Sequence, residues 1–256
     1  MSNFSQKAAA AVFLALGSLP AMADEVKAPA SGALTGSASI LSKYIYRGGV
    51  ENDDAALQAG LEYAHNSGAF AGYWGSTLDY DSTDDSKDSG FEHDFYIGYG
   101  HALNGDWSYK TQLTAYVYQN GGKIYSEDGS EKRRTTGAEL LNNLDYKNLS
   151  LGLGIMLADV NYSNAGDIYL SAAYEQALPQ DFALRTSIGG YIYNDRRDDA
   201  IVETAKSAVF SEARLGLAKP LGKTGAEVVV EYVWGGQDRM GESLDDHTLI
   251  GLNYAF

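Results

Sequence analysis

Charged residues recur at even spacing inside runs that otherwise read as strands. Lys43 and Arg47 are an even number of residues apart, as are Glu92 and Asp94, Glu139 and Asp145, Glu212 and Arg214, and Glu227 and Glu231. In an extended chain that spacing puts both members of a pair on one face. The same register adds Gln58, Glu62, Lys110, Gln112, Glu175 and Arg185, so that this face carries eight acids and five bases once Asp145 is set aside. Fixed charges that share a water-filled interior order water and set ion preference. The residues expected to line such a pore are Lys43, Arg47, Glu62, Glu92, Asp94, Lys110, Glu139, Arg185, Arg214 and Glu231. A small excess of acid would favour cations weakly. The other reading of the same residues is a filled interior, in which Arg and Glu pair as packing. Arg47 and Arg185 are the best candidates for a constriction, because a guanidinium holds its charge and makes forked contacts. Cross-strand ion pairing is their other possible role.

Catalysis finds little support. There is no Gly-x-Ser-x-Gly elbow and no His-Glu-x-x-His helix. Of the four histidines, His65 lies beside a turn, and His93 and His101 share a face with Phe91, Phe95 and Tyr99. Only His247 is expected to point inward, and no Ser and carboxylate can be placed beside it. No cofactor and no resident metal are expected. The acidic run Asp79, Asp81, Asp84, Asp85 and Asp88 offers hard oxygen ligands but not the spacing of a calcium loop, so it reads as a solvated loop. Tyr96, Tyr116, Tyr118, Tyr191 and Tyr193 gather at the inner edge, where rings could stack on a sugar or an aromatic solute.

These side chains need long strands to position them. Twelve are expected: 33–46, 54–65, 69–80, 90–102, 107–119, 134–146, 149–160, 167–178, 182–194, 207–219, 225–235 and 246–256. Most span 11 to 14 residues. Strands of soluble sheets average about 5–6 residues, whereas a tilted membrane-crossing strand needs about 9–11. The faces opposite the charges are apolar, for example Leu57, Ala59, Leu61 and Tyr63, or Leu149, Leu151, Leu153, Ile155 and Leu157. A charge on a lipid-facing midplane position costs about 2–4 kcal/mol for Arg or Lys, which accounts for the parity. Thr111, Asn142 and Thr186 are the mild exceptions. Long and short connections broadly alternate, as they do in outer-membrane barrels. The last strand, DHTLIGLNYAF, alternates an aromatic-ended apolar face with a small one and stops on Phe256.

The fold expected is therefore all-β: a transmembrane antiparallel up-and-down β-barrel of about twelve strands over 33–256. Residues 1–23 read as a cleaved secretory signal, with Lys7, an apolar stretch from Ala8 to Leu19 and the small-x-small pattern Ala21-Met22-Ala23. Residues 24–32 read as a flexible periplasmic lead-in. No later stretch is long and apolar enough for a membrane helix. The chain has no Cys, which excludes disulfides and thiolate metal sites. With 19 basic against 34 acidic residues it is a poor nucleic-acid binder.

A family resemblance joins these signals. The runs SKYIYRGGVEND and ALQAGLEYAHNSGAFAGYWGSTLDY resemble the opening of the TorF-type family of porin-like proteins. Ser42, Tyr44, Arg47 and Gly48 match its first segment; Gln58, Gly60 and Tyr63 its second; Ala71, Gly72, Trp74, Gly75 and Ser76 its third. Lys43 stands where an acid is expected, and Gly49-Val50-Glu51 replaces a more usual stretch. The resemblance covers about 40 residues and implies an outer-membrane, channel-like protein, without supplying catalytic or ligand residues.

The function expected is an outer-membrane porin of a Gram-negative bacterium, passing ions and small polar solutes with a weak preference for cations. Two alternatives stay open: a substrate-selective channel with a lumenal site, and a closed structural or adhesive barrel acting through its loops. The expected partners are outer-membrane lipid, small solutes or ions, and the barrel-assembly machinery, which would read the strand ending at Phe256.

Overall fold

A computed structural model describes residues 31–256 apart from Thr83, Asp85, 126–131 and 196–201. The expected signal segment and most of the lead-in lie outside the described residues, as does Asp85 of the acidic run. The wall is a closed barrel of twelve antiparallel strands. They are β1 (Gly32–Leu41), β4 (Ala56–His65), β5 (Ala69–Leu78), β6 (Gly90–Ala102), β7 (Trp107–Tyr118), β10 (Gly137–Tyr146), β11 (Leu149–Met156), β12 (Ile168–Ala177), β13 (Ala183–Ile192), β14 (Ala208–Pro220), β15 (Ala226–Gly235) and β16 (His247–Ala255). Each wall strand pairs with its neighbour in sequence, and β1 pairs with β16 to close the ring. Closure leaves no strand edge unpaired. Two short hairpins stand apart from the wall: β2 (Tyr44–Tyr46) with β3 (Gly49–Asn52), and β8 (Lys123–Tyr125) with β9 (Lys132–Arg134).

Alternation decides what each face meets. On β4, Gln58 is buried inside while Leu57, Leu61 and Tyr63 are exposed outside. On β6, Glu92, Asp94 and Tyr96 are buried and Phe95, Ile97 and Tyr99 are exposed, Ile97 at 61%. Ile188, Leu215, Val230 and Ile250 continue the outer band on other strands. A belt of large apolar side chains around a closed barrel is stable in lipid and not in water. Aromatic pairs mark its rims: Trp107–Tyr146 at 4.7 Å and Tyr254–Phe256 at 5.7 Å on one, Tyr232–Trp234 at 4.8 Å on the other. Two of the polar outer residues have partners. Tyr109 donates to Asn142 Oδ1 (2.6 Å), and Thr186 donates to the carbonyl of Tyr174 (3.3 Å).

Twelve strands and their parity match the sequence expectation, but several boundaries differ. The first strand was expected to run to 46; β1 ends at Leu41. Ser42 stops it by clasping Ile250: its N–H donates to the Ile250 carbonyl and its Oγ accepts from the Ile250 N–H. The chain then turns into the barrel, where Tyr44 and Ile45 are buried. The sixth and seventh expected strands, 134–146 and 149–160, are also shorter than expected, because β10 begins at Gly137 and β11 ends at Met156. The short turns and the long loops collect at opposite ends, called here the turn end and the loop end. Gly32 and Ala255 both lie at the turn end, as the antiparallel β1–β16 pairing requires.

A candidate constriction across the lumen

The β2–β3 hairpin is the feature that organises the interior. It leaves β1 at the loop end and folds inward, with Arg47 and Gly48 at its tip. Both tip residues have positive φ, 51° and 89°. Only glycine adopts such angles freely, so Arg47 is held there by its contacts. A Cβ at position 48 would stand 2.6 Å from the Ser211 carbonyl oxygen, which makes Gly48 obligatory for the close approach.

Arg47 reaches the far wall. Its guanidinium donates to both oxygens of Glu139 on β10, at 2.9 and 3.0 Å. Around the ring β10 is seven strands from β1 one way and five the other. The Tyr116 hydroxyl donates to the same carboxylate at 2.6 Å. Arg47 also sits over the rings of Tyr169 (4.3 Å) and Tyr46 (4.7 Å). A forked ion pair with ring faces against the guanidinium is a strong, directional hold.

Three further contacts hold the hairpin. The Ser211 hydroxyl donates to the Arg47 carbonyl. Ser211 is the extra residue of a β-bulge, because Gly189 pairs with Glu212 and Gly190 with Phe210. A bulge re-aims one side chain, and here it turns Ser211 inward beside Glu212. Arg214 donates to the Ile45 carbonyl at 3.0 Å. Tyr44 donates to Glu92 at 3.2 Å and packs edge-on against Trp74, centroids 5.7 Å apart. At the hairpin's base, Asn52 donates to the Thr77 carbonyl (2.9 Å) and Lys43 pairs with Asp53.

The other sequence-derived candidates fall into small charge clusters on the inner wall. Lys110 pairs with Glu62 at 3.5 Å. Arg185, near the turn end, is clamped by Glu175 (2.7 Å) and by both oxygens of Glu227 (2.6 and 3.0 Å). Arg214 joins Glu212 (2.6 Å) and Glu231 (3.0 Å). Two of the lumenal acids, Glu92 and Asp94, have no basic partner among the described residues. The expectation that Lys43 and Arg47 line the wall changes in one respect: Arg47 sits at the hairpin tip and Lys43 in the link that leads into it, neither on a wall strand. Sequence reasoning missed Ser211 because nothing in the pattern around it distinguishes a bulged residue.

Above the hairpin, a cavity of about 710 Å³ opens toward the loop end. Tyr46, Arg47, Gly49 and Glu51 of the hairpin line it, with Tyr80, Tyr118, Tyr162, Tyr191 and Tyr193 among its walls. Its bases are engaged: Arg47 by Glu139, Arg239 by Asp167 at 2.5 Å, and Lys87 by Asp84 and Asp81 at 3.3 and 3.6 Å. Burial raises the Glu51 carboxyl above the usual carboxylate range, against the pull of the Tyr80 hydroxyl that donates to it at 2.6 Å. No group of three or more His, Asp or Glu side chains that could hold a metal ion occurs among the described residues.

The model of a bacterial protein family of unknown function, Gcw_chp, matches residues 25–246. The chain belongs to this family. No curated protein matches it. Among solved structures, the KdgM porin superposes with a TM-score of 0.51 at 8% identity, covering 87% of this chain and 99% of the porin. That likeness shows a shared barrel fold. OccK1 (OpdK) of Pseudomonas aeruginosa gives a TM-score of 0.42 at 14% identity over 79% of this chain, which spans 57% of that protein. OpdL of the same organism gives 0.42 at 15% identity, over 87% and 67% of the two chains.

Proposed function

We propose that this protein is a channel of a Gram-negative outer membrane, of the TorF type, that passes ions and small polar solutes with a weak preference for cations and is narrowed by the β2–β3 hairpin. The observation that carries the reading is the divided interior: an open polar cavity at the loop end, floored by a hairpin that charged and polar groups hold across the lumen. The apolar outer belt with aromatic rims supports a lipid location. The porin fold of the KdgM neighbour is consistent with it. Outer-membrane barrels carry their long loops outward, so the loop end faces the cell exterior. The loop-end lining charges, Arg47, Glu92 and Glu139, then meet a solute first, and Glu62, Lys110, Arg185, Arg214 and Glu231 meet it beyond the hairpin. The strand ending at Phe256 closes the ring against Gly36, through backbone bonds of 2.8 and 3.0 Å, and is the segment the assembly machinery would read.

Single-channel conductance in a planar bilayer tests the reading. The native protein should give small steady openings. Replacing 43–53 by a short Gly-Ser linker should raise the conductance several-fold, and Arg47→Ala should raise it partway, because pore conductance follows the open cross-section and its fixed charge. If a folded, linker-bearing barrel stays silent, passive conduction is wrong. The alternative of a substrate-selective channel is favoured by the tyrosine-walled cavity, and saturable flux would distinguish it from free diffusion.

A further inference from the structure

The charges of the lumen do not cancel locally. Among the described residues, every base on the inner wall and hairpin is bound by a named acid: Lys43 by Asp53, Arg47 by Glu139, Lys110 by Glu62, Arg185 by Glu175 and Glu227, and Arg214 by Glu212 and Glu231. Of the acids left without an ion pair, Asp145 lies apart at the turn end, where the hydroxyls of Ser108 and Ser150 donate to it, and three others lie together. Glu92 and Asp94 stand on successive inward positions of β6, and Glu51 faces them from the hairpin. Glu51 and Glu92 line the same cavity. Glu51 and Glu92 accept hydrogen bonds from the phenols of Tyr80 and Tyr44, which are neutral donors. Asp94 is 1% exposed, and neither of its carboxylate oxygens has a hydrogen-bond partner among the described residues. A buried carboxylate without a partner is strongly unfavourable unless a proton or a cation joins it.

We infer that Glu51 and Glu92, with the rings of Tyr80, Tyr118 and Tyr162 and with Asp94 buried directly behind Glu92, form a seat for an organic cation, an ammonium or guanidinium group carried by a small solute. The inference rests on the channel reading above and names the class of solute that the cavity selects. The cavity that Glu51, Glu92 and the three tyrosines line is open to the loop end, so the cation has an approach. Tyrosine ring faces attract a cation, and they attract a weakly hydrated organic one better than a strongly hydrated metal ion. Among the described residues, each base that lines the cavity already carries an acid, and only Nη1 of Arg239 keeps a donor without a partner, so the lining offers an anion less than it offers a cation. Asp94 lies one inward position beyond Glu92, toward the turn end, between Trp74 and Tyr116 of the adjacent strands.

Phenethylammonium is the probe, titrated calorimetrically into the full-length mature protein in detergent, with phenethyl alcohol and phenylacetate as its neutral and anionic counterparts. The ammonium should bind, the other two should not, and Glu51→Gln and Glu92→Gln should each weaken binding roughly tenfold or more, as loss of a charge-assisted contact does. Both variants keep the side-chain shape, and heat-modifiable gel mobility confirms that each barrel is folded. Equal binding of phenylacetate, no binding of the ammonium, or unchanged affinity in both variants would overturn the seat. The bilayer conductance of the same preparations in potassium chloride is read separately. A conducting barrel that ignores the ammonium defeats the seat and leaves the channel standing, and a silent barrel defeats the channel itself.

Discussion

Arg47 and Arg185 have the same side chain and opposite consequences. Arg185 is enclosed near the turn end by Glu175 and Glu227, far from the hairpin, and Glu227 is 2% exposed. Arg185→Ala strands a buried carboxylate. It should cost about 3–5 kcal/mol of stability, read by urea unfolding from lipid vesicles, while leaving the conductance close to native. Arg47→Ala removes the hold on the inward hairpin instead. Its signature should be conductance, with a smaller loss of stability, since Glu139 keeps the Tyr116 hydroxyl as a donor. Glu51 gives a pH test. Its folded carboxyl is raised above its unfolded value, so the folded protein binds the extra proton and gains stability as pH falls toward about 4.5; that contribution is lost as pH rises through the folded value. The docked hairpin should therefore tighten on mild acidification, and Glu51→Gln should flatten this part of the conductance–pH profile.

The hairpin β2–β3 behaves as one element because its anchors lie on several strands: Ser42 at β16, Tyr44 at β6, Arg47 at β10, Ser211 and Arg214 on β14. Gly48 is the position where it can be undone without touching a charge. Gly48→Val must force a β-branched residue to φ near 89° and press its Cβ on the Ser211 carbonyl. The strain is about 1–3 kcal/mol or more, enough to undock the tip, and the channel should resemble the linker variant in conductance. A conductance equal to the native one would show that the tip is not the narrowest point. The family-like segment 42–53 thus becomes intelligible as a docking module: its Ser, Tyr, Arg and Gly each have a separate wall contact.

For the whole barrel, stability depends on the contrast between its two faces. Ile97 is 61% exposed in the outer belt, and its flanking inward neighbours Tyr96 and Gly98 face the lumen. Ile97→Arg should lower folding stability in lipid vesicles by about 2–4 kcal/mol, measured by reversible denaturant titration, if the residue lies near the midplane. Asn142→Leu, which replaces an outward amide whose partner is Tyr109, should be tolerated far better. Among the described residues, the Arg–Glu clusters on the inner wall have no counterpart on its outer face, so the same charge is accepted one residue away from where it is refused.

The wall was legible because a barrel strand writes its two environments into alternate residues. Leu57, Leu61 and Tyr63 against Gln58 and Glu62, or Phe95 and Ile97 against Glu92 and Asp94, declare strand, length and facing without any tertiary information. That pattern determined twelve strands, their order and the inward set of charges. It could not determine where the first strand stops. Lys43 and Arg47 keep the parity of β1, yet Ser42 ends the strand and the chain turns inward. An alternating hairpin in a polar lumen reads the same as an alternating wall strand. The bulge at Ser211 was hidden for a related reason, since an extra residue shows only when the partner strand is placed beside it. Which acid each base takes, and that Glu92 and Asp94 are left over, was decided by the tertiary structure alone. Ion pairing depends on distances across a ring of strands far apart in sequence, and periodicity along one strand carries no measure of them.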